Sequence, residues 1–257
     1  MATYKKRGYK PKNKAEEVEH IEDNSTTAEV FNTLDEGASR TEEWVAANQK
    51  YILGAVGVIA LVILGYLGFQ KFIQEPKEQE AANEMFKAQQ YFDLAVNGNS
   101  NTRDSIYGLA LNGGEGKYGF LEIIENYGGT KAANLANYYA GFSYLNTNKY
   151  QEAINYLDEF KSDDEMLGPL ALGGIGDAFS ELDQTGEALG YYEKAAQAKV
   201  NNFTTPKFLL KAAITAISLD KGDIAIQYLE RIKNEFPKSV EANQVDVHLG
   251  KAQALKK

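Results

Sequence analysis

The 257-residue chain contains no cysteine, only two histidines (His20 and His248), five prolines and one tryptophan. The absence of cysteine excludes disulfide scaffolds, thiolate nucleophiles, zinc–cysteine sites, iron–sulfur clusters and an anchor through an acylated cysteine. Two histidines so distant in sequence leave almost nothing from which to build a Ser-His-Asp triad or a multi-histidine metal site. Positive charge is also scarce: 27 lysines and arginines face 36 acids, giving a net charge of −9 and a pI near 4.9. This balance argues against nucleic acid as a partner of the chain as a whole, because its phosphates demand a basic footprint. At 44% hydrophobic and 25% charged, the chain is still one that folds. These absences point away from an enzyme or a bound cofactor and toward a binding or scaffolding part.

The charge is unevenly spread. Residues 1–14 carry six cations and no acid, whereas residues 15–50 carry ten acids against Arg40 and Lys50. The basic stub is either a solvated tail or a grip on anionic lipid or RNA near a membrane, and it biases topology. Residues 1–38 read as a mostly disordered cytoplasmic tail, with a short amphipathic turn near Val30, Phe31 and Leu34.

Residues 39–73 read as a juxtamembrane and transmembrane helix. Between Lys50 and Lys71 lies an uncharged run, Tyr51 to Gln70. At about 1.5 Å per residue it spans roughly 30 Å, the thickness of a hydrocarbon core. No small-x-small cleavage site follows it, so it reads as a signal anchor rather than a cleaved leader. Gly54, Gly57, Gly65 and Gly68 fall within an arc of roughly 80° with Leu61 in its middle. Such a stripe lets a partner helix approach closely, although glycine is also common in membrane spans. The N-terminal cations place the N-terminus inside and the C-terminal domain outside the cytoplasm.

From 76 to 257 helical periodicity dominates and prolines punctuate it. Pro76, Pro169 and Pro206 each precede an apolar-periodic run, with Thr205 as a candidate N-cap. Three segments superpose on Ala153, Ala188 and Ala225, spaced 35 and 37 residues apart. Twelve residues before each alanine stands Gly141, Gly176 or Ala213, and nine before stands Tyr144, Phe179 or Ala216. The pattern resembles the tetratricopeptide repeat, a helix pair of about 34 residues with small residues where its two helices touch. Pro237 stands where that repeat's terminal proline does. The predicted fold is all-α: a transmembrane helix, then about four hairpins near 76–130, 131–165, 168–202 and 205–237, and a capping helix over 239–255. Within the first unit, residues 97–116 read as an Asn/Gly-rich loop.

Candidate chemistry is thin. Gly114, Gly116 and Gly119 spell G-x-G-x-x-G, but the parallel strand and acid of a dinucleotide site do not follow, and no Lys-Ser/Thr completes a phosphate loop. The acids Asp158, Glu159, Asp163, Asp164 and Glu165 lack calcium-loop spacing and suit a solvated turn. What remains is surface. The first helices of such units line a concave face, here Leu135, Tyr138, Phe142 and Leu145, then Asp177, then Leu210, Ile214 and Ile217. Tyr138 and Phe142 either contact a ligand or pack against the neighbouring helix pair.

The anchor followed by GFLEIIENYGGTKAANLANYYAGFSYL, with its hinge at Tyr127, Thr130, Leu135 and Ala136, resembles the YfgM-like ancillary subunits of the SecYEG translocon. That resemblance covers roughly residues 40–240. It implies a single-pass bacterial inner-membrane protein with a periplasmic repeat domain. It also implies partners: translocon channel subunits, a membrane-anchored chaperone of prolyl-isomerase type, and unfolded exported chains. The other readings left open are a structural scaffold of another cell-envelope complex and a regulator whose cytoplasmic tail binds a soluble protein.

Overall fold

A computed structural model describes the backbone of residues 26–98 and 100–255, with side chains from residue 41 onward except at 99 and 100. Among the described residues it is all-helical, and the only β feature is an isolated bridge between Gly114 and Lys117. The chain divides into two units between Phe69 and Gln70.

Among its described residues the first unit is one helix, α1 (Thr26–Phe69). Residues 26–38, expected to be mostly disordered, are thus helical in backbone, and the anchor's helix starts well before residue 39. No proline lies between Pro11 and Pro76 to interrupt it. The rest of the expected tail, with its basic stub, lies outside the described residues. Between residues 53 and 69 the large apolar side chains are exposed, Leu61 at 71% and Val62 at 67%. The segment is long and apolar enough to cross a membrane, with mean hydropathy 2.5 and none of its most apolar window buried. Leaving each such side chain in water rather than an apolar medium costs about 1.5–3 kcal/mol, which makes this surface compatible with a single-pass anchor.

The second unit begins with a π-helical turn, Gln70–Gln74, and α2 (Glu75–Asn97). A 3₁₀ turn (Ser100–Thr102), α3 (Arg103–Asn112) and α4 (Phe120–Asn126) follow. The stretch 97–116, read as a loop, therefore carries a helix. Tyr107, Ala110 and Leu111, at i, i+3 and i+4, are all buried, and Tyr107 packs edge-on to Phe92 at 5.7 Å. Apart from Gly108 and Asn112, which lie within it, the glycines and asparagines that suggested a loop sit at its flanks.

Three helix pairs come next: α5 (Lys131–Asn146) with α6 (Tyr150–Glu159), α7 (Leu167–Glu181) with α8 (Thr185–Ala198), and α9 (Thr204–Ser218) with α10 (Gly222–Glu235). A 3₁₀ turn (Glu241–Gln244) and α11 (Val245–Ala254) close the array. Ala153, Ala188 and Ala225 are fully buried. In the first two pairs the small residue twelve positions upstream faces the residue four positions downstream. A Cβ on Gly141 would lie 2.5 Å from Leu157 Cγ, and one on Gly176 would lie 2.7 Å from the Tyr192 ring. The two helices of a unit approach this closely because those positions have no side chain. Tyr144 stacks on Tyr156 at 5.3 Å, and Phe179 meets Tyr191 at the same distance. In the last pair Ala216 replaces the aromatic and is fully buried.

The prolines sit in the first turns of α2, α7 and α9, where a missing N–H has no intrahelical partner. Thr205 is not the cap of α9, which already starts at Thr204. Asn201 does that work: its Oδ1 accepts from Phe203 N and Thr204 N at 2.8 Å each, while Thr205 Oγ1 accepts from Asn201 N. The turn inside each pair closes on a residue with positive φ: Asn148 (59°), Asp183 (58°) and Asp220 (57°). These stand five residues before Ala153, Ala188 and Ala225, so the backbone repeats in the register of the sequence.

Candidate functional site

The face expected to bind a partner is built from α5, α7 and α9. At its first end the side chains pack against one another and the next pair. Tyr138 lies 4.7 Å from the Phe142 ring and 5.2 Å from Phe160, and Phe142 reaches the backbone at Gly174. Burial pushes the Tyr138 phenol up to about 12. Leu135 and Leu145 are half-buried in the same core. At the other end Leu210 is buried and Ile217 is half-buried, whereas Ile214 is 42% exposed.

Between these ends sits Asp177, and it is not a free acid. Its Oδ1 accepts from Tyr192 OH at 2.7 Å and pairs with Lys211 Nζ at 2.5 Å. Lys211 also lies 5.4 Å from the Tyr192 ring centroid. The phenol of Tyr192 is pushed far above its ordinary value, first by burial and then by the Asp177 charge. This hub ties the two helices of one unit to the first helix of the next, and Gly173 makes room for it by letting the Phe208 ring approach. Chemically the face offers hydrogen bonds, a compensated ion pair and an exposed isoleucine.

The remaining features are structural in their contacts. In the G-x-G-x-x-G turn, Gly114 N donates to Lys117 O and Lys117 N to Gly114 O, while Gly119 N donates to Glu122 Oε2. The amides of Gly114, Lys117 and Gly119 are thus engaged rather than turned toward a phosphate. Asp164 caps α7 by accepting from Met166 N and Leu167 N, and those bonds hold its carboxyl below the usual range. No cluster of three or more metal-ligating side chains occurs among the described residues. In α1, a Cβ added at Gly54, Gly57, Gly65 or Gly68 meets nothing within 4 Å.

Sequence reasoning missed a latch at the entry to the repeats. Gln74 Nε2 donates to Gly129 O at 3.1 Å and Lys77 Nζ to Gly128 O at 3.0 Å. Glu78 accepts from Lys131 N and Ala132 N, and Thr130 Oγ1 caps the same helix by accepting from Ala133 N. Two further links continue along that edge. Asn134 exchanges two bonds with the backbone of Lys161, and Asn201 Nδ2 donates to Glu165 O. No local sequence signal marks partners so far apart.

Stacked helix pairs with a repeating left-handed turn and small-residue contacts define a helical-repeat protein. The tetratricopeptide repeat family matches residues 135–164 and 208–239, which are the first and third of the three regular pairs. The array is therefore tetratricopeptide-like, and repeats of that family are typically non-enzymatic modules that mediate protein–protein contacts. No curated protein matches this chain.

Proposed function

We propose that this chain is a non-enzymatic, membrane-anchored interaction subunit of the bacterial inner membrane that works beside the protein-export translocon. One observation carries the reading: an exposed apolar helix of membrane-spanning length precedes a tetratricopeptide-like array in the same chain. In this account the N-terminus is cytoplasmic and the repeat domain periplasmic. The stripe of Gly54, Gly57, Leu61, Gly65 and Gly68 packs against translocon helices. The face around Asp177, Lys211 and Ile214 engages a membrane-anchored prolyl-isomerase-type chaperone or exported chains. The resemblance of residues 40–240 to YfgM-like subunits supports this choice of partners.

Co-purification of the membrane-extracted protein tests the stripe. Leucine at Gly57 or Gly65 holds a partner backbone away without impairing insertion, so recovery of channel subunits should fall while membrane levels persist. The Ala60→Leu control should change nothing, and unchanged recovery for both stripe variants contradicts the assignment.

A second reading has its own support. Tyr138, Phe142 and Leu210 are packed rather than presented, which leaves little apolar groove for unfolded clients. A scaffold mated to one folded partner of a cell-envelope complex fits that surface better than a client-binding groove does.

A further inference from the structure

Large apolar side chains are exposed unevenly on the repeat domain. The turns between successive helix pairs expose Met166, Val200, Phe203 and Val240, with Phe203 at 74% and Val240 at 75%. Among the described residues, the turns inside the pairs, at 147–149, 182–184 and 219–221, expose none. These two sets of turns lie at opposite ends of the helices, so Met166, Val200, Phe203 and Val240 share one edge. Phe86, Leu94, Val96 and Val247, also exposed on the domain, are on helices rather than gathered at turns. The hydrogen bonds of Asn134 to Lys161 and of Asn201 to Glu165 run between neighbouring turns along it. A cleft of about 560 Å³ opens on the same edge, floored by Leu157, Phe160, Pro169 and Ile175.

The chain enters the repeat domain at this edge. Gln74, Lys77 and Glu78 are bonded to residues 128–132, the first of the turns between pairs. Only three residues separate Gln74 from Gln70, the end of the uncharged run, a reach of at most about 14 Å over four Cα–Cα steps. Phe72 and Ile73 in that link are themselves exposed, at 81% and 55%.

We propose that the edge formed by the turns between helix pairs lies on the bilayer that holds the anchor, with Val200, Phe203, Met166 and Val240 seated at the boundary between headgroups and acyl chains. The proposal rests on the membrane-anchor reading. The edge carries Lys161, Lys199 and Lys238 but also Asp163, Asp164, Glu165 and Glu241. Its charge is close to balanced, so apolar insertion rather than attraction to anionic lipid holds it there. The face around Asp177 and Ile214 then stands off the lipid, open to a protein.

The absence of cysteine makes the test clean. The full-length chain, reconstituted in phosphatidylcholine vesicles, receives one environment-sensitive fluorophore at a time. The sites are Asn202→Cys beside Phe203, Glu187→Cys near the opposite edge, and Val62→Cys within α1. Quenching by lipids carrying a nitroxide near the headgroup should be at least about threefold stronger at residue 202 than at 187. The first is placed within the ~5–10 Å interfacial layer and the second about 20 Å away along α8. Adding Phe203→Ser to Asn202→Cys should lower the quenching at least about twofold. Raising salt from about 0.1 M to about 1 M should leave it unchanged.

Equal quenching at 202 and 187, with residue 62 quenched by a mid-chain nitroxide, overturns the docked edge and leaves the anchor standing. Quenching at 202 that salt abolishes overturns apolar insertion. A residue 62 that no lipid quenches overturns the anchor reading, and this proposal with it.

Discussion

Glu78 in the first turn of α2 caps the N-terminus of α5 at Lys131, 53 residues further along the chain, with its Oε2 2.7 Å from Lys131 N. Its other oxygen accepts from Ala132 N at 2.9 Å. One carboxylate thus satisfies two amide donors that no intrahelical carbonyl reaches, at the positive end of the helix dipole. Glu78→Ala should cost about 1–2 kcal/mol of stability, and Glu78→Gln, which keeps one acceptor, should cost less. Urea unfolding of the detergent-solubilised chain, followed by helicity, measures both. Equal stability of all three proteins would show that the latch contributes nothing.

The close approaches at glycine make a sharper contrast. A Cβ at Gly173 would lie 1.9 Å from the Phe208 ring, whereas one at Gly190 meets nothing within 4 Å. Gly173→Ala should destabilise by about 1–3 kcal/mol through overpacking. Gly190→Ala should stabilise by up to about 1 kcal/mol through helix propensity alone. Melting temperatures of the two variants should therefore move in opposite directions.

Asp220 holds a φ of 57° at the turn of the last pair, a conformation that side chains disfavour and glycine accepts. Asp220→Gly should raise stability by up to about 1 kcal/mol, and Asp220→Val should lower it by about 1–2 kcal/mol. Thermal unfolding by circular dichroism reads both changes, and the same order is expected at Asn148 and Asp183.

Much of this architecture was legible because its determinants repeat. Ala153, Ala188 and Ala225 stand out at a fixed period, and a position that must be small to let two helices touch leaves that mark in any sequence. The acceptor-bearing Asn148, Asp183 and Asp220 repeat in the same register, and that signal could have been read beside the alanines. The helix over 103–112 was hidden because its short apolar pattern is bracketed by asparagine and glycine, residues that favour loops locally. Its formation depends on Phe92 and Phe120 from other elements. Long-range pairings such as Glu78 with Lys131, or Asp177 with Tyr192 and Lys211, leave no local trace. For that reason the middle of the partner-facing surface read as acidic when it is in fact an ion pair.

The packing of Tyr138 carries a pH consequence. Its folded-state pKa, pushed up to about 12 by burial, exceeds the unfolded value of about 10. A raised value means the folded state holds its proton more tightly. The associated stability is complete below about pH 10 and is lost as pH rises through about 12. Tyr138→Phe should therefore make alkaline unfolding less steep in that window, as followed by helicity, while leaving the acid limb unchanged. An identical alkaline limb would mean that the phenol is solvated in solution.

The central claim is that a membrane-held array presents the face of its first helices to a protein. Site-specific photo-crosslinking in intact cells tests it most directly, with the reactive side chain placed at Ile214 on α9 or at Glu230 on α10, both exposed. The account predicts a discrete protein adduct from Ile214 in the membrane fraction, lost when Asp177→Ala disturbs the neighbouring hub, and no such adduct from Glu230. Adducts of equal yield from both positions, or none from Ile214, would contradict it.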